Sequence, residues 1–398
     1  MAEMAERKAD PGPLEPGILR RVLGMWALGR IFSLALLGCW YVVSRGARWN
    51  FGPYPMPVTS YMDFLAGWDA DRYGAIAEYG YPQAIPVDAS GDVMPNNWAF
   101  LPVFPMLERA LAAAAGMPWQ IAGVVISIAA SAGATVMLFL LVRRVASGRQ
   151  AWWAAVLFTF GPLSFVFSLA YAESLFLLLL FSALLLAVLR RYAWITPIGV
   201  VAGFTRPGVV ALALGLAVVF AVRWMRRRHD PFRIREMAGL GAAVVTTAIA
   251  GFAWPFIADA VTGLGNVYVR TETAWWIPFV GDGAFVPLTP WFRFAITYAG
   301  PIGAILVVLV IAAFAWWVSS RPVRRLGIEV VAFAAAYGIY LFAVFLPQQS
   351  ILRLVMPLSP LLGDERLSAT PRRRRWLLAT CLALQAVAVF LLWTIGYP

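Results

Sequence analysis

Asp69 in a first long loop, Glu173 in a tight hairpin, and Arg206 and Arg353 in apolar runs are the charged residues that could do chemistry. Arg206 and Arg353 are expected near the outer leaflet, where a charge costs roughly several kcal/mol unless it is paired or hydrated, so both are functional candidates by default. Asp69 belongs to Trp68-Asp69-Ala70-Asp71-Arg72-Tyr73, which opens a short helix that Gly80 can close. At about 100° per residue, Asp71 and Glu78 share one face of that helix, whereas Asp69 points with Tyr73 and Ile76. The two aspartates diverge, which speaks against a pair chelating one metal ion. Asp69 is left as a lone carboxylate beside aromatic groups, able to take a proton from a hydroxyl within hydrogen-bond reach. Its other reading is a helix N-cap. Arg206 and Arg353 offer planar forks that can hold two oxygens of one oxyanion. Arg206 also fits a salt bridge with Glu173, and Glu173 either lines a pocket or caps the helix that follows it. Asp71 and Glu78 read as a solvated face.

The elements that position these residues follow from composition. Of 398 residues, 61% are hydrophobic and 13% charged, too few polar groups to cover a soluble domain. In a bilayer, backbone groups must find partners within their own segment, so the apolar runs are helices and the fold class is all-α. Spans are expected near 22–44, 119–142, 152–170, 173–190, 237–258, 294–318, 327–346, 349–363 and 376–395, most of them near the roughly 20 residues that a crossing needs and 349–363 shorter. Residues 194–222 hold Gly203, Pro207 and Gly208 and are read as two half-helices that go in and return. The sum is a polytopic bundle of about eleven crossings, with residues 98–116 lying at the interface.

Basic residues orient the bundle. The clusters Arg143–Arg144, Arg190–Arg191, Arg223–Arg235, Arg321–Arg325 and Arg372–Arg375 all fall on the side of the N-terminus, which is then cytoplasmic. Residues 1–18 are expected to be a cytoplasmic tail and 19–398 a single transmembrane domain, with the C-terminus outside. Two outer loops, 45–118 and 259–293, are rich in Trp, Tyr and Pro and gather carboxylates. Trp275, Trp276 and Trp291 read mainly as interfacial anchors.

The net charge of +12 would suit nucleic acid only on a water-exposed domain, and none is visible, so no nucleic-acid partner is expected. Only Lys8 among 32 basic residues is lysine, a skew typical of G- and C-rich genomes that points to a bacterial source. Cys39 and Cys381 lie in apolar segments and read as small core residues. The one histidine, His229, sits in a basic loop, which speaks against a histidine-based zinc site or catalyst. Acidic residues precede the first apolar run, unlike a cleavable signal peptide. Arg30, inside the first span, is expected to be paired within the bundle.

The run WDADRYGAIAEYGYP (68–82) followed by AFLPVFP (99–105) resembles the signature of the PIG-V-like mannosyltransferases, the family of GPI mannosyltransferase 2 and bacterial relatives within the glycosyltransferase C superfamily. YAESLF (171–176) and FTRPG (204–208) resemble two further elements of that family, in the same order. Leu101 and Phe104 depart from its usual Phe and Tyr, and the polar Asp71 is a further departure. The resemblance implies inverting transfer of a sugar, usually mannose, from a polyprenyl-phosphate donor to a lipid, glycan or protein acceptor on the outer face of the cell membrane. Asp69 is then the candidate base. Arg206 and Arg353 are the candidates for the donor phosphate, which gains negative charge as it leaves. Trp68, Asp71, Tyr73 and Glu173 belong to the acceptor side or its surroundings, and an aromatic outer loop could stack on a sugar ring. No cofactor is called for, and a divalent metal ion is left open. The competing expectation is a lipid or glycolipid transporter or flippase. A transporter places ionisable groups near the midplane between paired broken helices, and the sequence offers one broken segment without a partner.

Overall fold

The computed structural model describes residues 12–49 and 60–396. Most of the expected N-terminal tail, part of the first loop and the extreme C-terminus, expected outside, lie beyond these residues. Apart from turns and one isolated bridge between Val87 and Val93, the described residues build helices. Helix α1 (Ile18–Gly46) leads to the first loop, which carries α2 (Tyr61–Leu65), α3 (Asp69–Tyr79) and α4 (Val103–Ala115). The bundle continues through α5 (Trp119–Val145), α6 (Gly148–Phe160), α7 (Glu173–Val188), α8 (Ile195–Gly203), α9 (Val209–Met225) and α10 (Ile234–Thr262). A second loop carries α11 (Val267–Ala274) and α12 (Ile277–Val280), after which come α13 (Pro290–Ser319), α14 (Arg321–Arg324), α15 (Ile328–Val344), α16 (Ile351–Leu354) and α17 (Pro371–Ala388). Among the described residues five helices, α1, α5, α10, α13 and α17 with its π-helical extension, are long and apolar enough to cross a bilayer, and four shorter apolar helices accompany them. The chain is an all-α, multi-spanning membrane protein.

Helix α5 sits among α1, α4, α6 and α7, and α9 lies between α10 and α15. Small residues set these approaches, as expected where apolar surface gains nothing by leaving lipid. A Cβ on Gly203 would meet Ala250, and one on Gly215 would meet the Phe333 backbone at 2.9 Å. The same contacts fix direction. Along α10, Gly239 lies against Ala193, Thr247 against Gly199 and Ala250 against Gly203, and then Gly251 against Val209 and Gly241 against Phe220. Thus α8 climbs along α10 and α9 descends, so the chain reverses at 204–208, where Gly208 takes φ +111°.

Two expected spans have a different local structure. Helix α6 stops at Phe160, before Gly161 and Pro162, and a 3₁₀ stretch covers Ser164–Ser168. Proline lacks an N–H and restricts the residue before it, so the helix cannot run on to 170. The expected span 349–363 is the short α16 and a 3₁₀ stretch, Met356–Gly363, interrupted by Pro357 and Pro360. A 3₁₀ turn rises about 2.0 Å per residue, more than an α-helix, so few residues carry the chain far. Two smaller expectations are also corrected. Cys39 is exposed and Cys381 half-exposed on the outside of the bundle, so neither is a core residue. Among the described residues Arg30 pairs with no carboxylate; it donates to the carbonyls of Thr159 and Ser164 and to Ser168 Oγ, capping the carbonyls freed where α6 ends.

The ends of the bundle differ. At one end Arg143 donates to the carbonyls of Gly12 and Pro13, Arg190 pairs with Asp230, Arg223 with Glu236 and Arg325 with Glu365. Glu173 and Arg190 flank the two ends of α7, and Arg206 and Arg223 those of α9. The arginine-rich loops therefore lie opposite the end that carries the two long loops.

Candidate functional site

Asp69 is the first residue of α3, not its cap. That position belongs to Trp68, which makes no side-chain capping bond and takes φ +59°, a strained conformation for a bulky residue. The turn is held from outside the helix. Trp68 Nε1 donates to the Trp393 carbonyl at 3.4 Å, and the Asp69 N–H donates to the Tyr171 hydroxyl at 3.2 Å. At the other end Gly80 closes α3 with φ +80°. From α4, Arg109 donates to the carbonyls of Ala77 and Glu78, so the last turn is capped by a cation. Tyr73 and Ile76 are buried while Asp71 and Glu78 are exposed, as the helical spacing requires. Tyr73 packs edge-on against Phe100 and Phe104 at 5.2 and 5.1 Å, which gives the AFLPVFP run its local task. The Val103 N–H donates to the Phe204 carbonyl at 3.0 Å, tying α4 to the reversal that carries Arg206.

Three charged positions far apart in sequence meet Asp69 here. One nitrogen of Arg353 contacts Asp69 Oδ2, and another lies 3.0 Å from Glu173 Oε1. Arg206 reaches the same Glu173 oxygen at 2.6 Å. The result is a chain of alternating charge, Asp69–Arg353–Glu173–Arg206, with the Arg353 guanidinium 5.2 Å from the Tyr171 ring centre. The salt bridge between Arg206 and Glu173 is thus present. Exposure ranks its members: the Asp69 side chain is 26% exposed, Arg206 11%, Arg353 9% and Glu173 5%. Asp69 is the member that a ligand reaches most easily, and Glu173 is the anion behind both arginines. Its Oε2 is buried and makes no hydrogen bond among the described residues.

A cavity of about 450 Å³ opens over this chain. Trp68, Asp69, Tyr73, Arg206 and Arg353 line it, whereas Glu173 and Asp71 do not. Its other walls come from Phe100 and Leu101, from Phe345 and Leu346 after α15, and from the second loop, with Glu272, Trp275 and Phe279. Arg72 also lines it, 5.6 Å from the Trp275 ring centre. Burial pushes the Glu272 carboxyl up to about 7, and Asp69 adds to the rise, against the opposing pull of the Tyr268 hydroxyl and Arg206. Among the described residues no three His, Cys, Asp or Glu side chains gather as a metal-holding group.

The sequence reading passed over Glu272, Arg72 and Tyr171 as site residues. Glu272 carried a usable signal, since it stands three and four residues before Trp275 and Trp276 and so shares their helical face. Tyr171 stood inside the YAESLF run, but nothing local shows that its hydroxyl faces Asp69.

No protein-family model matches the chain, and no curated protein sequence is significantly similar to it. Among solved structures it is similar to the oligosaccharyltransferase of Archaeoglobus fulgidus in complex with zinc and sulfate, at 14% identity and a TM-score of 0.43, over 93% of this chain and 52% of that one. It is similar to an archaeal oligosaccharyltransferase of the same organism in complex with an inhibitory peptide and a dolichol-phosphate, at 13% identity and a TM-score of 0.44, over 96% of this chain and 56% of that one. The chain thus spans about half the length of these enzymes.

Proposed function

We propose that this chain is a membrane glycosyltransferase of the PIG-V-like kind, with the glycosyltransferase C fold, that transfers mannose from a polyprenyl-phosphate donor to an acceptor hydroxyl on the outer face, with inversion. The observation that carries the reading is the cavity in which one accessible carboxylate, Asp69, shares a charge chain with two guanidinium groups, beneath walls of apolar and aromatic side chains. Such a site suits a ligand that is part sugar, part phosphate and part lipid.

In the proposed reaction Asp69 accepts the proton of the acceptor hydroxyl while that hydroxyl oxygen bonds to the anomeric carbon. The bond from that carbon to the phosphate oxygen breaks, and the electron pair leaves with the polyprenyl phosphate. Arg206 and Arg353 hold the charge that grows there. In the resting chain Arg353 is bound to Asp69, and a carboxylate engaged by a guanidinium is a poor base. A phosphate that takes over Arg353 releases Asp69, which couples donor arrival to base activity. The arginine-rich loops at the opposite end of the bundle support a cytoplasmic N-terminus and an extracytoplasmic site.

Incubating the purified chain in detergent with polyprenyl-phosphate mannose and a hydroxyl-bearing lipid acceptor tests the proposal, with labelled mannose expected in the acceptor. A chain that transfers none, yet moves the donor between the leaflets of a vesicle, would be the transporter instead.

A further inference from the structure

Glu272 is a cavity-lining acid with no cation of its own. Among the described residues no arginine forms an ion pair with it: Arg206 is bound to Glu173, and Arg72 lies over the Trp275 ring. It is nonetheless firmly placed. Asp259, at the end of α10, accepts the backbone N–H groups of Asn266 and Val267 at 2.9 Å each, closing the start of α11. Asn96 donates to the hydroxyl of Thr271 at 2.9 Å, and Val267 is fully buried. A well-anchored helix therefore presents a carboxyl that meets the Tyr268 hydroxyl but no cation to a site whose other accessible acid is Asp69, with Trp275 as the next cavity-lining residue along the chain.

Resting on the glycosyltransferase reading above, we propose that Glu272 reads the transferred sugar, its carboxyl donating a hydrogen bond to a ring hydroxyl of a hexose that stacks beside Trp275 while the phosphate of the same donor lies at Arg206 and Arg353. The second outer loop then selects the sugar, and the first supplies the base. The chemistry follows from the surroundings. Groups that face Glu272 are Tyr268 on its own helix, Asp69 from α3, and Arg206 from the reversal between α8 and α9, with Tyr340 of α15 beside Tyr268. Asp259 of α10 is engaged at the far end of α11 by the two N–H groups. With its carboxyl raised to about 7, Glu272 carries its proton below that pH and can donate; above it the proton is lost, and the resulting anion faces both Asp69 and an incoming phosphate.

The test compares two probes, polyprenyl-phosphate mannose and polyprenyl phosphate without sugar, binding to the full chain in detergent. At pH 6.5 wild type is expected to bind the sugar-bearing probe more tightly. Glu272→Ala should lose about 5–10-fold for that probe, the size of one hydrogen bond, and keep its affinity for the bare phosphate. Glu272→Gln retains an N–H donor, so it should bind near wild type at pH 6.5 and remove the weakening that wild type shows by pH 8.5. The bare-phosphate affinity reports folding of each variant. Equal loss for both probes, or loss for neither, overturns the assignment, as does a wild type that does not distinguish the probes; in each case the phosphate site itself still stands. A wild type that binds neither probe overturns this inference and the proposed function together.

Discussion

The Asp69 carboxylate separates two roles cleanly because asparagine preserves its shape. Asp69→Asn keeps an oxygen for Arg353 but cannot take a proton near neutral pH, so transfer should fall by about 10²-fold or more, the usual contribution of a general base. Folding should be little affected, since Arg353 retains Glu173. Asp71→Asn, on the exposed face, should transfer nearly as wild type in the same radiolabel assay; failure of both variants together with rescue by added divalent ion would mean that a metal joins the carboxylates. Glu173→Gln tests the opposite kind of residue. It removes the one anion that two buried guanidiniums share, and breaking a buried pair in this way costs about 3–5 kcal/mol, so the yield of folded protein should drop sharply in size-exclusion profiles. Arg206→Lys keeps the charge and the salt bridge but not the two-pronged hold on phosphate, and should raise the KM for donor more than it lowers melting temperature.

At the scale of elements, α3 is a carrier that sets where Asp69 stands, and its docking on α5 is testable. A Cβ on Gly74 would lie 2.5 Å from the Trp119 ring, too close for any real side chain. Alanine is the better helix former by about 1 kcal/mol, but forcing a methyl against a packed indole typically costs about 1–3 kcal/mol. Gly74→Ala is therefore expected to lower the melting temperature and, by tilting α3, to reduce transfer further than the loss of folded protein explains. An unchanged melting curve would mean that α3 does not bear on Trp119. Arg30 serves α6 in a similar way. It is the cation placed on the carbonyls of a broken helix end, and removing it leaves them unpaired in the bundle.

Over the whole molecule, the separation of arginine-rich loops from the cavity makes sidedness a single question with one answer. Reporter fusions after residues 146, 228 and 323 should read cytoplasmic, and a fusion near residue 88 extracytoplasmic, because short basic loops stay inside. A cytoplasmic signal at 88 would place the cavity on the inner face and remove the outer-face donor from the proposed reaction.

Hydrophobic length and composition by themselves determined the class: helices, a membrane, and the reversal around Pro207 and Gly208, because the period of an apolar run and the missing proline N–H are local properties. The same local reasoning put Asp69 with Tyr73 and Ile76, since the helical repeat fixes a face without any partner. It took 152–170 and 349–363 for regular helical spans, whereas Pro162, Pro357 and Pro360 impose other local structure. Charged partners were out of its reach. Asp69 and Arg353 are 284 residues apart, and Glu173 and Arg353 are 180 apart. Nothing periodic links such positions, and Arg30 is held by carbonyls that every residue possesses. Which carboxylate meets which guanidinium, and whether Glu272 faces a cavity or lipid, is decided only when distant helices pack, because in low dielectric a charge is tolerated only where the assembled fold supplies its partner.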